Sequence, residues 1–246
     1  MTDWAVIGHD GHAARAFVLR GSRVTHSLTA PESATLLAQI NPAVRILYRI
    51  GEGQSGSIPT GVLPQGGHGL AGFVQDSPPD VIDGWVRFLL IGLLSVRSAW
   101  DGVAWVVLRD LHHWLHLSAG EAVSSQSFLT PRLIATLGGA SSFCETAISD
   151  TLTRPERLAA QLRSAQVTNS TSAVSGHLLG AELAAARPYW LGQSVSLIAD
   201  SACAMQYSHA LSELGVPVTI FDPEALIAPA LAALATALGY GDLPAR

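Results

Sequence analysis

The chain has 246 residues, 48% of them hydrophobic, with a net charge of -5 and a mean hydropathy of +0.32. That length buries one large core or two of roughly 100 to 130 residues each, and the composition excludes a disordered chain. With 14 Lys and Arg against 19 Asp and Glu, no basic surplus exists to neutralise a phosphate backbone, so nucleic acid is set aside as a partner. Cys144 and Cys203 are too few for a disulfide framework, and no Cys/His spacing points to structural zinc. Asp3 and Trp4 stand where a secretory signal would have basic and then apolar residues. The longest nearly uncharged apolar run, Phe88 to Val96, is far short of the roughly 20 residues that span a bilayer. The expectation is a cytoplasmic protein with no membrane partner.

Trp4 to Ile7 and Ala14 to Leu19 are short apolar runs separated by His9, Asp10 and Gly11, the turn chemistry of a hairpin, and Val24 to Leu28 adds a third strand. Pro31 and Glu32 open a helix over Ala34 to Ile40, followed by a buried strand from Val44 to Ile50. Gly51 to Gly72 holds eight of the 23 glycines and reads as a long loop, functional or mobile. Pro79 begins a helix expected to run through Leu94 and to be buried between two layers. After Gly102 the order repeats: strands at Val103 to Leu108, Trp114 to Leu117 and Ala122 to Phe128, then helices at Pro131 to Leu137 and Pro155 to Ser164. Helix Ser172 to Ala186, strand Val195 to Ala199, helix Ala202 to Leu214, strand Val216 to Phe221 and helix Glu224 to Leu238 complete the chain. A three-stranded meander followed by alternating helices and strands, occurring twice, predicts two related α/β lobes, residues 1–100 and 101–246, with mixed five-stranded sheets flanked by helices.

Several strings, in this order, resemble the 2-dehydro-3-deoxygalactonokinase family of the actin-like ATPase superfamily. Val174-Ser-Gly-His-Leu-Leu-Gly-Ala-Glu-Leu183 is similar to that family's Leu-Ser-Gly-Leu-Leu-Ile-Gly-Ala-Glu-Leu helix. Val195-Ser-Leu-Ile198 with Tyr207, Ala210 and Leu214-Gly215 resembles its next strand and helix. Ser127-Phe-Leu-Thr-Pro-Arg-Leu-Ile134 resembles Thr-Phe-Met-Thr-Gly-Glu-Leu-Phe, and Pro79-Asp-Val-Ile-Asp-Gly84 resembles Pro-Asp-Val-Met-Arg-Gly. The resemblance implies ribonuclease H-like lobes, a sugar acid bound on the N-terminal side and ATP with magnesium on the C-terminal side. The implied activity is transfer of the γ-phosphoryl group to 2-dehydro-3-deoxy-D-galactonate in galactonate breakdown. It also implies nucleotide-binding positions at Gly176, Gly180, Glu182 and Ser201, and substrate-side positions at Gly56, Asp83 and Thr130. The small residues of the Gly176 and Gly180 helix equally suit close packing, which is the simpler role for Glu182 as well. Partners are thus a small sugar acid and a nucleotide, with a homodimer open.

The departures fall in one chemical class. Family members open with a strand ending Asp-Trp-Gly-Thr, where the Asp helps hold magnesium; here Gly8, His9, Asp10 and Gly11 align, and only Arg15 and Ala16 keep the pattern beyond. A second phosphate loop, Pro-Gly-Thr-His-Ser-Lys-Trp in the family, is Arg109-Asp-Leu-His-His-Trp114, including Asp110 and His112. Arg-Gly-Glu-Glu becomes Asp83-Gly-Trp-Val86. Phosphoryl transfer rests on positioning and charge stabilisation, so these losses remove what it most needs. A rival reading is therefore a non-catalytic relative that binds a ligand or regulates.

His9, Asp10 and His12, with His112, His113 and His116, could offer metal ligands, but the ordinary reading is that they remain solvated where phosphate loops would be. No metal site is expected. Gly51, Gly53 and Gly56 lack the Gly-Lys-Ser/Thr continuation of a P-loop. No Gly-x-Ser-x-Gly elbow supports a serine hydrolase.

Overall fold

The computed structural model describes residues 3–40, 44, 46–108 and 110–241. In chain order the elements are β1 (Asp3–His9), β2 (Ala14–Arg20), β3 (Arg23–Ala30), α1 (Ser33–Gln39), β4 (Ile46–Ile50), β5 (Gly56–Ser57), β6 (Thr60–Gly61), β7 (Gly69–Leu70), β8 (Phe73–Asp76), β9 (Pro79–Ile82) and α2 (Gly84–Val96). Then follow β10 (Gly102–Val107), β11 (His112–Ser118), β12 (Glu121–Phe128), α3 (Thr130–Thr136), α4 (Glu145–Thr153) and a 3-10 turn at Pro155–Arg157. The remainder is α5 (Leu158–Val167), α6 (Thr171–Ala185), α7 (Arg187–Trp190), β13 (Val195–Ile198), α8 (Ser201–Ser212), β14 (Val218–Phe221) and α9 (Pro223–Ala237).

The chain divides into two compact units. The first comprises the chain through Asp101, the Leu117–Ser124 corner and the residues from Pro223 on; the second comprises Gly102–His116 and Ser125–Asp222. The last helix, read from sequence as part of the C-terminal lobe, thus packs within the first unit, against α2.

In the first unit, the sheet order is β3-β2-β1-β4-β7. β1 runs antiparallel to β2, with Gly8 opposite Arg15, and parallel to β4, with Trp4 opposite Ile46. β1 is buried over Trp4 to Gly8, as its unbroken apolar run requires of a central strand; edge strand β3 is polar and mostly exposed. The helix expected from Pro79 begins later. Pro79–Ile82 is strand β9, antiparallel to β8, because Asp83 is the cap, its carboxylate accepting from Val86 N–H at 2.9 Å. Beyond it α2 is buried from Gly84 to Leu93. Gly92 lies where any Cβ would strike the Leu226 backbone of α9, so the two helices approach as closely as glycine allows.

Gly51 to Gly72 is not a free loop. It contributes β5 to a small β5-β8-β9 sheet and pairs β6 with β12 and β7 with β4. Arg87, 8% exposed, donates to the carbonyls of Val62 (2.9 Å), Ala71 (3.0 Å) and Gly61 (3.1 Å). Its guanidinium also lies 4.8 Å from the Phe73 ring centroid.

In the second unit β14, β13, β10, β11 and β12 are neighbours in that order, with β10 and β14 both parallel to β13. The core joins Trp105, Trp114, Leu179, Leu183, Trp190, Leu197 and Leu211. Helix α4, which the sequence reading left unassigned, packs on α6; its apolar residues are too few to mark a stripe. The observed class is the expected one, α/β with mixed sheets flanked by helices. No helix among the described residues is long and apolar enough to cross a membrane.

Candidate functional site

The first-unit candidate is the β1–β2 turn. Gly11 takes a φ of +93°, open to glycine, and Asp10 Oδ1 accepts from the N–H groups of His12 and Ala13, both at 2.8 Å. This is the side-chain turn that Asp makes readily. Asp10 Oδ2 meets Arg15 Nη1 at 3.2 Å, and the same guanidinium grips Glu224 of α9 with both nitrogens, at 2.6 and 3.0 Å. Burial pushes the Asp10 carboxyl up, but the hydrogen bonds from Ala13, His12 and Arg15 outweigh it and hold it below the usual range. Arg15 holds Glu224 low as well. Two carboxylates therefore hold both terminal nitrogens of Arg15, whose Nε is buried without a hydrogen-bond partner.

Gly8, where the resemblance would put a magnesium carboxylate, has no room for a side chain. A Cβ there would stand 2.8 Å from Ile50 Cβ and 3.3 Å from the Trp85 ring. Among the described residues no group of three His, Cys, Asp or Glu could hold a metal ion. Magnesium thus does not fit this turn: Gly8 is filled behind and Asp10 is committed to Arg15. Gly8→Asp is expected to lose about 1–3 kcal/mol of stability through overpacking, read as a lower urea midpoint, and to add no turnover.

The second-unit candidate lies where the resemblance would put the other phosphate loop. Arg109 lies outside the described residues, and Asp110 is exposed. His112 and His113 are buried, at 0% and 1% exposure, not solvated as expected. The strand β11 alternates, so His112 and Trp114 share the face toward α6. His112 Nδ1 lies 2.7 Å from Glu182 Oε2, Trp114 Nε1 donates to Glu182 Oε1 at 2.9 Å, and Thr130 adds a further bond. His113 Nδ1 meets Ser127 Oγ at 2.7 Å. Burial raises the Glu182 carboxyl, yet His112 and these hydrogen bonds prevail, and the group is held below its ordinary value. Trp105 and Tyr207 set ring edges around His112, at centroid distances of 5.9 and 5.1 Å. His112 Nε2 and Trp105 Nε1 are buried without a hydrogen-bond partner. Burial, with Glu182 and Cys203 nearby, pushes the Tyr207 hydroxyl well above its ordinary pKa.

The other positions separate. Gly176 and Gly180 face the backbone of α4 at Cys144 and Ile148, where they permit helix contact and leave no space for a ligand. Ser201 is exposed at the start of α8, after Asp200. Gly56 lies in β5 beside Thr60, and Asp83 caps α2. Thr130, in the second unit, serves Glu182. Sequence reasoning missed Arg87 and Glu224; a lone arginine ahead of an apolar helix was the signal for the first, and nothing local marked the second.

The 2-keto-3-deoxy-galactonokinase family model matches residues 153–234. The fold matches that of a proposed 2-dehydro-3-deoxygalactonokinase from Sinorhizobium meliloti, with a TM-score of 0.79 at 19% identity, covering 95% of this chain and 98% of that one. It also resembles component A of (R)-2-hydroxyglutaryl-CoA dehydratase from Acidaminococcus fermentans, with a TM-score of 0.51 at 10% identity, covering 96% and 97%. No curated protein matches the chain. The likeness read from sequence is thus to a sugar-kinase family, carried in sequence by residues 153–234 and in fold by nearly the whole chain.

Proposed function

We propose that this chain is a cytoplasmic relative of the 2-dehydro-3-deoxygalactonokinases that keeps the ligand-binding fold and performs phosphoryl transfer very slowly or not at all. One observation carries the reading: at the position aligned with the second phosphate loop, His112 turns into the core and pairs with Glu182 at 2.7 Å. A side chain turned into the core and bonded to Glu182 is not aimed at a transferring phosphoryl oxygen, which needs preorganised donors directed at its developing charge. The first turn agrees, since Arg15 is held by Asp10 and Glu224. The ligands proposed are a sugar acid and a nucleotide, the latter on the second unit near Ala199 to Ser201, with adenine contributing more than phosphate.

The kinase reading keeps the support of the family match, and one assay separates the two. Purified protein with ATP, magnesium and 2-dehydro-3-deoxy-D-galactonate is expected to turn over near background. A rate of roughly 1 to 100 per second, ordinary for kinases, would reinstate the enzyme. Calorimetry is expected to give ATP, ADP and adenosine similar affinities; a large preference for ATP with magnesium would require a working phosphate site.

A further inference from the structure

The second unit holds a groove of about 370 Å³ between α4 and α8, within the size range of small-ligand sites. Its floor is apolar, from Phe143, Ile148, Leu152, Ala210 and Leu214, three of which form the outer edge of the unit's core. Phe143 is fixed in place, its N–H donating to Gln206 Oε1 at 3.2 Å. The mouth is acidic. Glu145 and Glu213 line it, both exposed, and no Lys or Arg is among the lining residues. His209 Nε2 lies 3.1 Å from Glu145 Oε1, whereas the Glu213 carboxylate has no partner among the described residues.

We infer that this groove binds a small organic cation, an aryl- or alkylammonium whose apolar body covers Ile148, Leu152 and Leu214 and whose charge meets Glu145 and Glu213. An apolar floor rewards any hydrophobic ligand of fitting size; the unpaired Glu213 carboxylate, with Glu145 held by His209 across the mouth and no Lys or Arg in the lining, selects the sign of its head group. The same carboxylates repel a phosphate or a sugar acid. None of Gly176, Gly180 and Ser201 lines the groove, so it stands or falls independently of the function proposed above.

The test titrates the full chain with 2-phenylethylammonium, 2-phenylethanol and phenylacetate, followed by calorimetry and by methyl resonances of Ile148, Leu152 and Leu214. The ammonium ion is expected to bind about tenfold more tightly than the alcohol, as two half-screened charge contacts provide, and phenylacetate not at all. Glu145→Gln with Glu213→Gln should bring the ammonium to the alcohol's affinity without changing thermal stability, because both side chains are exposed. Ser149→Trp, at an exposed lining position, should abolish binding of both. Absence of ammonium binding, equal binding of all three probes, or full binding by the double glutamine variant overturns the inference. Adenosine shifting the same methyls would assign the groove to a nucleoside and overturn it equally.

Discussion

Glu182→Leu will unfold the second unit at a temperature lower by on the order of 10 °C, a loss of about 3–5 kcal/mol. The carboxylate is 2% exposed and receives His112, Trp114 and Thr130. Leucine replaces the volume but leaves a buried imidazole, an indole N–H and a hydroxyl with no acceptor, and each unmade bond costs about 1–3 kcal/mol. Glu182→Gln separates charge from shape and should lose less. The pH dependence has a definite sign. The folded carboxyl titrates below its unfolded value of 4.5, so its stabilisation is present above that value and is lost as pH falls through the folded pKa. Wild-type stability, followed by urea unfolding between pH 7 and pH 3, should therefore drop on the acid side more steeply than that of Glu182→Gln. Parallel acid limbs for the two proteins would sink this account.

Arg87→Met will cost about 3 kcal/mol or more in the first unit and loosen the segment from Gly56 to Gly72 before anything else unfolds. A buried guanidinium usually has a carboxylate beside it; among the described residues no ion pair reaches Arg87. Its charge is met by the three carbonyls of Gly61, Val62 and Ala71 and by the face of Phe73. Burial correspondingly lowers its pKa, with Tyr48 partly offsetting the effect. Methionine fills much of the stem volume and satisfies none of those oxygens. Lysine should recover only part of the loss, since a point charge cannot serve three acceptors as a planar fork does. Hydrogen exchange resolves the effect: amides of 56–72 should exchange faster in Arg87→Met while those of Val195–Ile198 in the second unit keep wild-type protection. Uniform acceleration across both units would instead mean global destabilisation.

Much of the architecture was legible in the residues alone. Apolar runs of four to six residues, such as the two punctuated by His9-Asp10-Gly11, mark strands and tight turns, because period and turn chemistry are local properties. Asp83 stands in one of the family-like strings, and its capping bond is why a helix starts after it and not at Pro79. Helix α4 carries no local signal, since its burial depends on Gly176 and Gly180 of a helix some thirty residues away.

The chemistry of the two phosphate-loop positions divides in the same way. That Gly8, Asp10 and the Arg109 to Trp114 string depart from the residues the resemblance would place there could be read directly, because identity is written in the residue itself. Where the substituted residues point could not. The pairing of His112 with Glu182 spans 70 positions and that of Arg15 with Glu224 spans 209; the partner in each case is chosen by sheet order and helix packing, which place distant side chains within 3 Å. Sequence by itself determined the strands, the helices and a resemblance to a sugar-kinase family whose phosphate-handling residues are not found at Gly8 or at Arg109 to Trp114. Only the tertiary structure decided that His112 and Arg15 turn to partners within the fold, since a polar side chain taken from water persists only where the fold supplies its partner.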